Sequence, residues 1–157
     1  KAYPLPLMKK VIEKITKTYP SCRIFLFGGG QKEKVLLEDI AVKDPHCTNV
    51  AGLLQGLRQE LMLMSNLDVM VSMDSANMHL ASLVATPVVS IWGATHPYAG
   101  FMGWNQREEN AVQVDLPCRP CSVFGNKPCL RGDYACLNLI TSDMVFSKVQ
   151  AVLNNHG

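Results

Sequence analysis

Residues 23–27, 68–73 and 87–92 are three runs of strand length dominated by apolar side chains. None shows the apolar–polar alternation of a sheet with one wet face, so each reads as a strand buried on both sides. Helical periodicity fills the intervals between them. Leu7, Met8, Val11, Ile12 and Ile15 recur on one face among lysines, as in an amphipathic helix. A second helix is expected over 31–42, stopped by Asp44-Pro45, and a short strand with its loop over 47–52. Leu54, Leu57, Leu61 and Met64 share one side of a helix over 53–65, and another helix is expected over 75–84. Buried strands alternating with helices predict an α/β fold, a parallel sheet with helices on both faces. The last third is rich in Cys, Pro, Gly and Asn. We expect an irregular segment over 111–140, then a closing helix within 141–157.

A length of 157 residues suits one domain with a single core, here 1–157. With 48% hydrophobic and 18% charged residues, the chain belongs with globular rather than disordered sequences. Its net charge of +2 gives no electrostatic footprint for nucleic acid. The longest apolar run, 80–92, is too short to span a bilayer and is cut by Pro87. No signal peptide is recognisable. Because the sequence starts at Lys1 rather than Met, the expectation is a piece of a longer protein.

Four features carry chemistry. Asp74-Ser75-Ala76-Asn77-Met78-His79 follows the second buried strand. Ligands of open α/β sheets bind at the carboxyl ends of the strands. Ser75 suits a helix N-cap, and the unpaired N–H groups and positive dipole end behind it suit an anion, above all a phosphate. His79, four residues on, can point back at the same anion. The alternative is plain capping by Asp74 and Ser75, with His79 packed in the core. The second feature is Phe27-Gly28-Gly29-Gly30-Gln31-Lys32-Glu33, whose glycines let a ligand approach the backbone. It is not the dinucleotide fingerprint, since Glu33 stands where its last glycine would be, which counts against an epimerase-like enzyme. It is not a P-loop either. Glu33 could accept hydrogen bonds from ribose hydroxyls, or be a solvated glutamate after a glycine turn. Third, Gly93-Ala94-Thr95-His96-Pro97 opens onto the same edge, ahead of a long loop. Fourth, Cys118, Cys121, Cys129 and Cys136 cluster within 19 residues. A tetrahedral zinc site, disulfides, or reduced thiols packing a loop all fit this spacing. Cys22 and Cys47 read as isolated structural residues.

The run 74–81, then Thr86-Pro87, then 93–97 resembles the signature of glycosyltransferase family 9, the lipopolysaccharide heptosyltransferases and their relatives. Lys1-Ala2-Tyr3-Pro4 is similar to the Lys-x-Trp-Pro segment that opens the family's C-terminal domain. The glycine turn ending at Glu33, the run Ala51-Gly52-Leu53-Leu54, and the cysteine tail ending Leu139-Ile140-Thr141 extend the likeness over essentially the whole chain. The resemblance implies two Rossmann-like domains facing across a cleft, the GT-B arrangement, with this chain as the C-terminal, donor-binding half. It implies a nucleotide-sugar donor, commonly ADP-heptose, and inverting transfer that needs no metal. It places Ser75, Ala76, Asn77 and His79 at the diphosphate, Asp74 at the sugar hydroxyls and Glu33 at the ribose. Lys1 would add a cation near the phosphates, Thr95 would support their pocket, and 52–56 would lie near the base. The catalytic base, an aspartate, would belong to the N-terminal domain, which would also meet a glycolipid acceptor. The setting implied is bacterial and cytoplasmic, at the inner face of the inner membrane. Three positions depart from the family pattern. Ala76 replaces a glycine, and its methyl narrows the approach to phosphate. His96 replaces an acid, and Tyr3 replaces the tryptophan. The alternative is a non-catalytic Rossmann-like module whose cysteine-rich segment, held by zinc, forms an interaction surface.

Overall fold

In the computed structural model the described residues are 3–28, 31–51, 53–54, 56–73, 76–92, 110–113 and 135–156. Elements follow in the order α1 (Leu5–Thr18), β1 (Ile24–Leu26), α2 (Gln31–Lys43), β2 (Cys47–Asn49), α3 (Leu57–Ser65) and β3 (Met70–Met73). The chain continues through α4 (Ala76–Leu83), β4 (Val88–Ile91), β5 (Ala111–Val112), α5 (Ala135–Asn138) and α6 (Ser142–His156). The chain is therefore α/β, and every strand pairing among the described residues is parallel.

The single sheet expected from the sequence is seen as two ladders, β1-β2 and β3-β4-β5. β4 is buried at all four residues, and its side chains alternate between two cores. Val88 packs with Trp92, Met64 of α3, Met70 and the α4 residues Met78 and Ala81. Val89 and Ile91 pack on the opposite side with Val11 of α1, Val112, and Val145, Val149 and Val152 of α6. Helices thus cover both faces of this ladder, as a parallel strand without a polar side requires. Each such buried side chain contributes about 1.5–3 kcal/mol. A third core joins Ile12 of α1, Leu26, Ile40 of α2 and Cys47. Helix α1 therefore holds the two ladders together, with Val11 in one core and Ile12 in the other.

A cavity of about 570 Å³ runs between the ladders, walled by Ile12, Ile15, Phe25, Val69, Val71 and Val149. At the two ends of β1, Ile24 N–H donates to His46 O and Val50 N–H donates to Leu26 O, which ties β1 to β2.

Local chemistry sets the element ends. Pro6 lies in the first turn of α1, where its missing N–H costs nothing. The helix expected over 53–65 begins at Leu57, because Gly56 holds φ +87°, which helical propagation cannot accept. Thr141 caps α6, its hydroxyl accepting from Met144 N–H at 3.2 Å. Two short elements, β5 and α5, fall inside 111–140, the stretch expected to be irregular. The turn between α2 and β2 is locked by His46, whose Nδ1 meets Asp44 Oδ1 at 2.9 Å and whose Nε2 meets Pro20 O at 3.0 Å. The Asp44 hydrogen bond raises the imidazole's pKa, and bonds from His46 lower that of Asp44. No helix among the described residues is long and apolar enough to cross a membrane.

Helix α4 ends in a Schellman turn. Thr86 N–H returns to Ala81 O, Ala85 N–H returns to Ser82 O, and Ala85 sits left-handed at φ +62°. The Thr86 hydroxyl then donates to Met64 O and fastens the turn to α3. A left-handed alanine is strained by about 1–2 kcal/mol, which glycine avoids at some entropic cost. Ala85→Gly should therefore raise stability by about 0.5–1 kcal/mol and the melting temperature by roughly 1–4 °C. An unchanged or lowered melting temperature would show that this turn carries no such strain.

Candidate functional site

In parallel strands the carboxyl ends share one edge, and ligands of such folds gather there. β3 ends at Met73 and α4 starts at Ala76, so only two residues, Asp74 and Ser75, connect them. A connection this short leaves the helix N-terminus directly beyond the strand end. Its first N–H groups have no partner within the helix, and its dipole is positive there. Asp74 and Ser75 themselves lie outside the described residues, as does the side chain of Ala76.

The rest of α4 divides cleanly. Met78, Ala81 and Ser82 are buried, and the Ser82 hydroxyl donates to Met78 O at 2.8 Å. Asn77 is half-buried and lines the cavity between the ladders. His79 is exposed. The reading of His79 as a packed core histidine is therefore corrected, because Met78 takes the inward position and turns its neighbour outward. The burial of Met78 and Ala81 fixes how the helix lies on β3 and β4, and so where its N-terminus sits.

The glycine turn after β1 comes to the same edge. Phe27 packs against the core that contains Met78 and Trp92, and it lines the cavity together with Ser72 and Asn77. Immediately beyond, Gly28 lies tight under the first turn of α2. A methyl group at position 28 would stand 2.8 Å from Leu37 Cδ1 and 3.0 Å from Glu33 Oε2. Gly28 is thus the close-approach glycine that seats the Glu33 carboxylate over the end of β1. Glu33 is exposed, and its place in the first turn of α2 also suits the helix dipole. The structure therefore brings the turn of Glu33 and the first turn of α4, with Asn77 and His79, to one edge.

Other residues anticipated from the sequence lie outside the described residues: Lys1, Thr95, His96, Gly52 and the cysteines 118, 121 and 129. Cys136 falls in α5, with its side chain not among those described. Among the described residues no group of three or more His, Cys, Asp or Glu is placed to hold a metal ion. Cys47 is buried, and desolvation pushes its thiol up to about 11, so it stays protonated and unreactive at neutral pH. Cys22 is raised in the same direction by burial.

Two features of the site make contacts that were not read from sequence. Ser90, buried in β4, accepts from Trp92 Nε1 at 2.8 Å and orients the indole under α4. Tyr3 is buried against the end of β3, with its main-chain N–H on Met73 Sδ. The two-residue spacing of Ser90 and Trp92, both on one strand face, was the available signal for the first. Nothing local marks the second, whose partners lie 70 and 137 residues away.

The tightness at Gly28 is directly testable. Gly28→Ala should change stability by no more than about 0.5 kcal/mol in chemical denaturation, because the methyl meets only the ends of the flexible Leu37 and Glu33 side chains, which can turn aside. A loss of about 2 kcal/mol or more would show that these side chains cannot give way.

A search of curated proteins and one of solved structures each find no match. The family model for glycosyltransferase family 9 (heptosyltransferase) matches residues 1–129. That span takes in the glycine turn, the β3–α4 connection and β4, and stops short of α5 and α6. The chain belongs to glycosyltransferase family 9, and its class of activity is glycosyl transfer.

Proposed function

We propose that this chain holds the nucleotide-sugar donor, ADP-heptose or a close relative, of an inverting glycosyltransferase. It would act as the C-terminal, Rossmann-like half of a GT-B enzyme. The observation that carries this reading is the α4 N-terminus two residues beyond the end of β3, beside the turn that seats Glu33. A helix N-terminus supplies a diphosphate with oriented N–H donors and a positive dipole end. Ser75, Ala76, Asn77 and His79 meet the diphosphate in this reading, and Lys1 adds a cation. Asp74 takes the sugar hydroxyls, Glu33 the ribose, and Thr95 supports the phosphate pocket. Residues 52–56 lie near the base.

The transfer itself is a single displacement. An acceptor hydroxyl attacks the anomeric carbon as the bond to the diphosphate breaks, which inverts the configuration. Charge develops on the leaving phosphate oxygens, where the N–H groups of α4 and the His79 imidazole stabilise it without a metal. The proton of the acceptor passes to an aspartate on the partnering N-terminal domain. The acceptor is a glycolipid of the lipopolysaccharide core or a related cell-surface glycan, met at the inner face of a bacterial inner membrane.

Titration calorimetry with ADP tests the reading. ADP should bind, and Ser75→Ala and His79→Ala should each weaken it about tenfold, the loss of one hydrogen bond to a charged group. Absence of heat with any nucleoside diphosphate at millimolar concentration would remove the donor-binding claim.

A further inference from the structure

The ring of His46 stands between two acceptors. Its Nδ1 meets Asp44 Oδ1 at 2.9 Å, and its Nε2 meets Pro20 O at 3.0 Å. A carboxylate oxygen and a carbonyl oxygen only accept, so each bond needs an N–H on the ring. A neutral imidazole carries one N–H and an imidazolium carries two. Only the protonated ring therefore makes both bonds. The first holds the turn from α2 to β2, where the His46 main-chain N–H also reaches Asp44 Oδ1 at 2.9 Å. The second crosses 26 residues of chain to the connection from α1 to β1. Two main-chain bonds lie beside it. Cys22 N–H donates to Tyr19 O, and Ile24 N–H, at the first residue of β1, donates to His46 O. Between them, Ser21, Cys22 and Arg23 line the cavity that separates the ladders.

We propose that His46 is a protonation-dependent clasp, which as imidazolium holds the connection from α1 to β1 on the turn from α2 to β2 and as neutral imidazole lets one of the two go. The clasp lies at the amino end of β1, opposite the glycine turn, and does not rest on the donor reading. Its two partners set its range. The side-chain bond to Asp44, and then the bond to Pro20, raise the imidazole above its usual 6.5, while bonds from His46 hold Asp44 below its usual 3.8. The contribution of His46 is complete below the unfolded imidazole's value and is lost as pH rises through the raised folded value. That of Asp44 is lost as pH falls through its lowered value. The neighbouring thiols stay neutral across this range. Burial, and then the charge of Asp44, raise both Cys22 and Cys47, the latter to about 11. The other charged side chains in these segments are Arg23, a permanent cation, and Lys43, held by Asp39 at 3.1 Å.

Nuclear magnetic resonance of the whole chain tests the clasp. At about pH 6 both ring nitrogens of His46 should carry protons, and its titration midpoint should lie above that of the urea-unfolded chain. Protection of the Cys22 and Ile24 amides from exchange should fall about threefold as pH rises through that midpoint, with Val89 and Ile91 of β4 unchanged. His46→Gln should abolish the step. Asp44→Asn should lower the midpoint and move the step with it, and carries the test if His46→Gln fails to fold. A singly protonated ring under the same acidic conditions, a folded midpoint at or below the unfolded one, or protection without a step would each overturn the proposal. So would a step that survives His46→Gln, one that stays in place in Asp44→Asn, or one that appears equally in β4, which would make His46 a general stabiliser rather than a local clasp.

Discussion

β4 buries all four of its side chains, and its neighbours are arranged around that fact. Val89 and Ile91 need a cover on one side, which α1 and α6 supply. Val88 and Trp92 need one on the other, which α3 and α4 supply. The burial of Met78 and Ala81 leaves α4 one way to lie on the ladder. The two-residue link from β3 then leaves its N-terminus at the carboxyl edge. The placement of the helix N-terminus is thus a by-product of covering an apolar strand, a position fixed by packing. The bond from the Thr86 hydroxyl to Met64 O and the left-handed Ala85 close the other end of the same helix.

The two ladders meet at this edge through side chains rather than main-chain bonds. Phe27 continues β1 into the core beneath α4, and α1 spans both ladders from the opposite face. Phe27, Ser72 and Asn77, from the end of β1, from β3 and from the start of α4, all line the cavity between β1 and β3. A ligand lying across the two strand ends would therefore touch both ladders at once, as ligands do at the switch point of an open α/β sheet. Binding there would add the cross-ladder contacts that the three-residue β1 supplies so sparingly.

Much of this fold was legible in the sequence because continuous apolar runs and helical periodicity are strong signals. α1, α2, β3, β4 and the order in which they alternate follow from Leu7 to Ile15, Asp44-Pro45, and the runs ending at Met73 and Trp92. The start of α3 was misplaced by four residues because Leu54 fits the apolar stripe, while the φ of Gly56 that ends the helix leaves no trace in periodicity. β5 is two residues long and exists only through its pairing with β4, so no local pattern announces it. Of the site, the glycine turn and the helix start were legible from residue type and position. The outward face of His79 was left open, since exposure depends on which neighbour wins the core. Tyr3 was visible only as a residue in place of a tryptophan, because its partners are set by tertiary structure.

Amide hydrogen exchange of this chain with and without ADP tests the central claim most directly, namely that the diphosphate sits on the N-terminus of α4 beside the glycine turn. The account predicts slowed exchange in two segments, 28–33 and 74–79, with the rest of the chain little changed. Slowing confined to other segments, or no slowing at concentrations where ADP is bound, would contradict it.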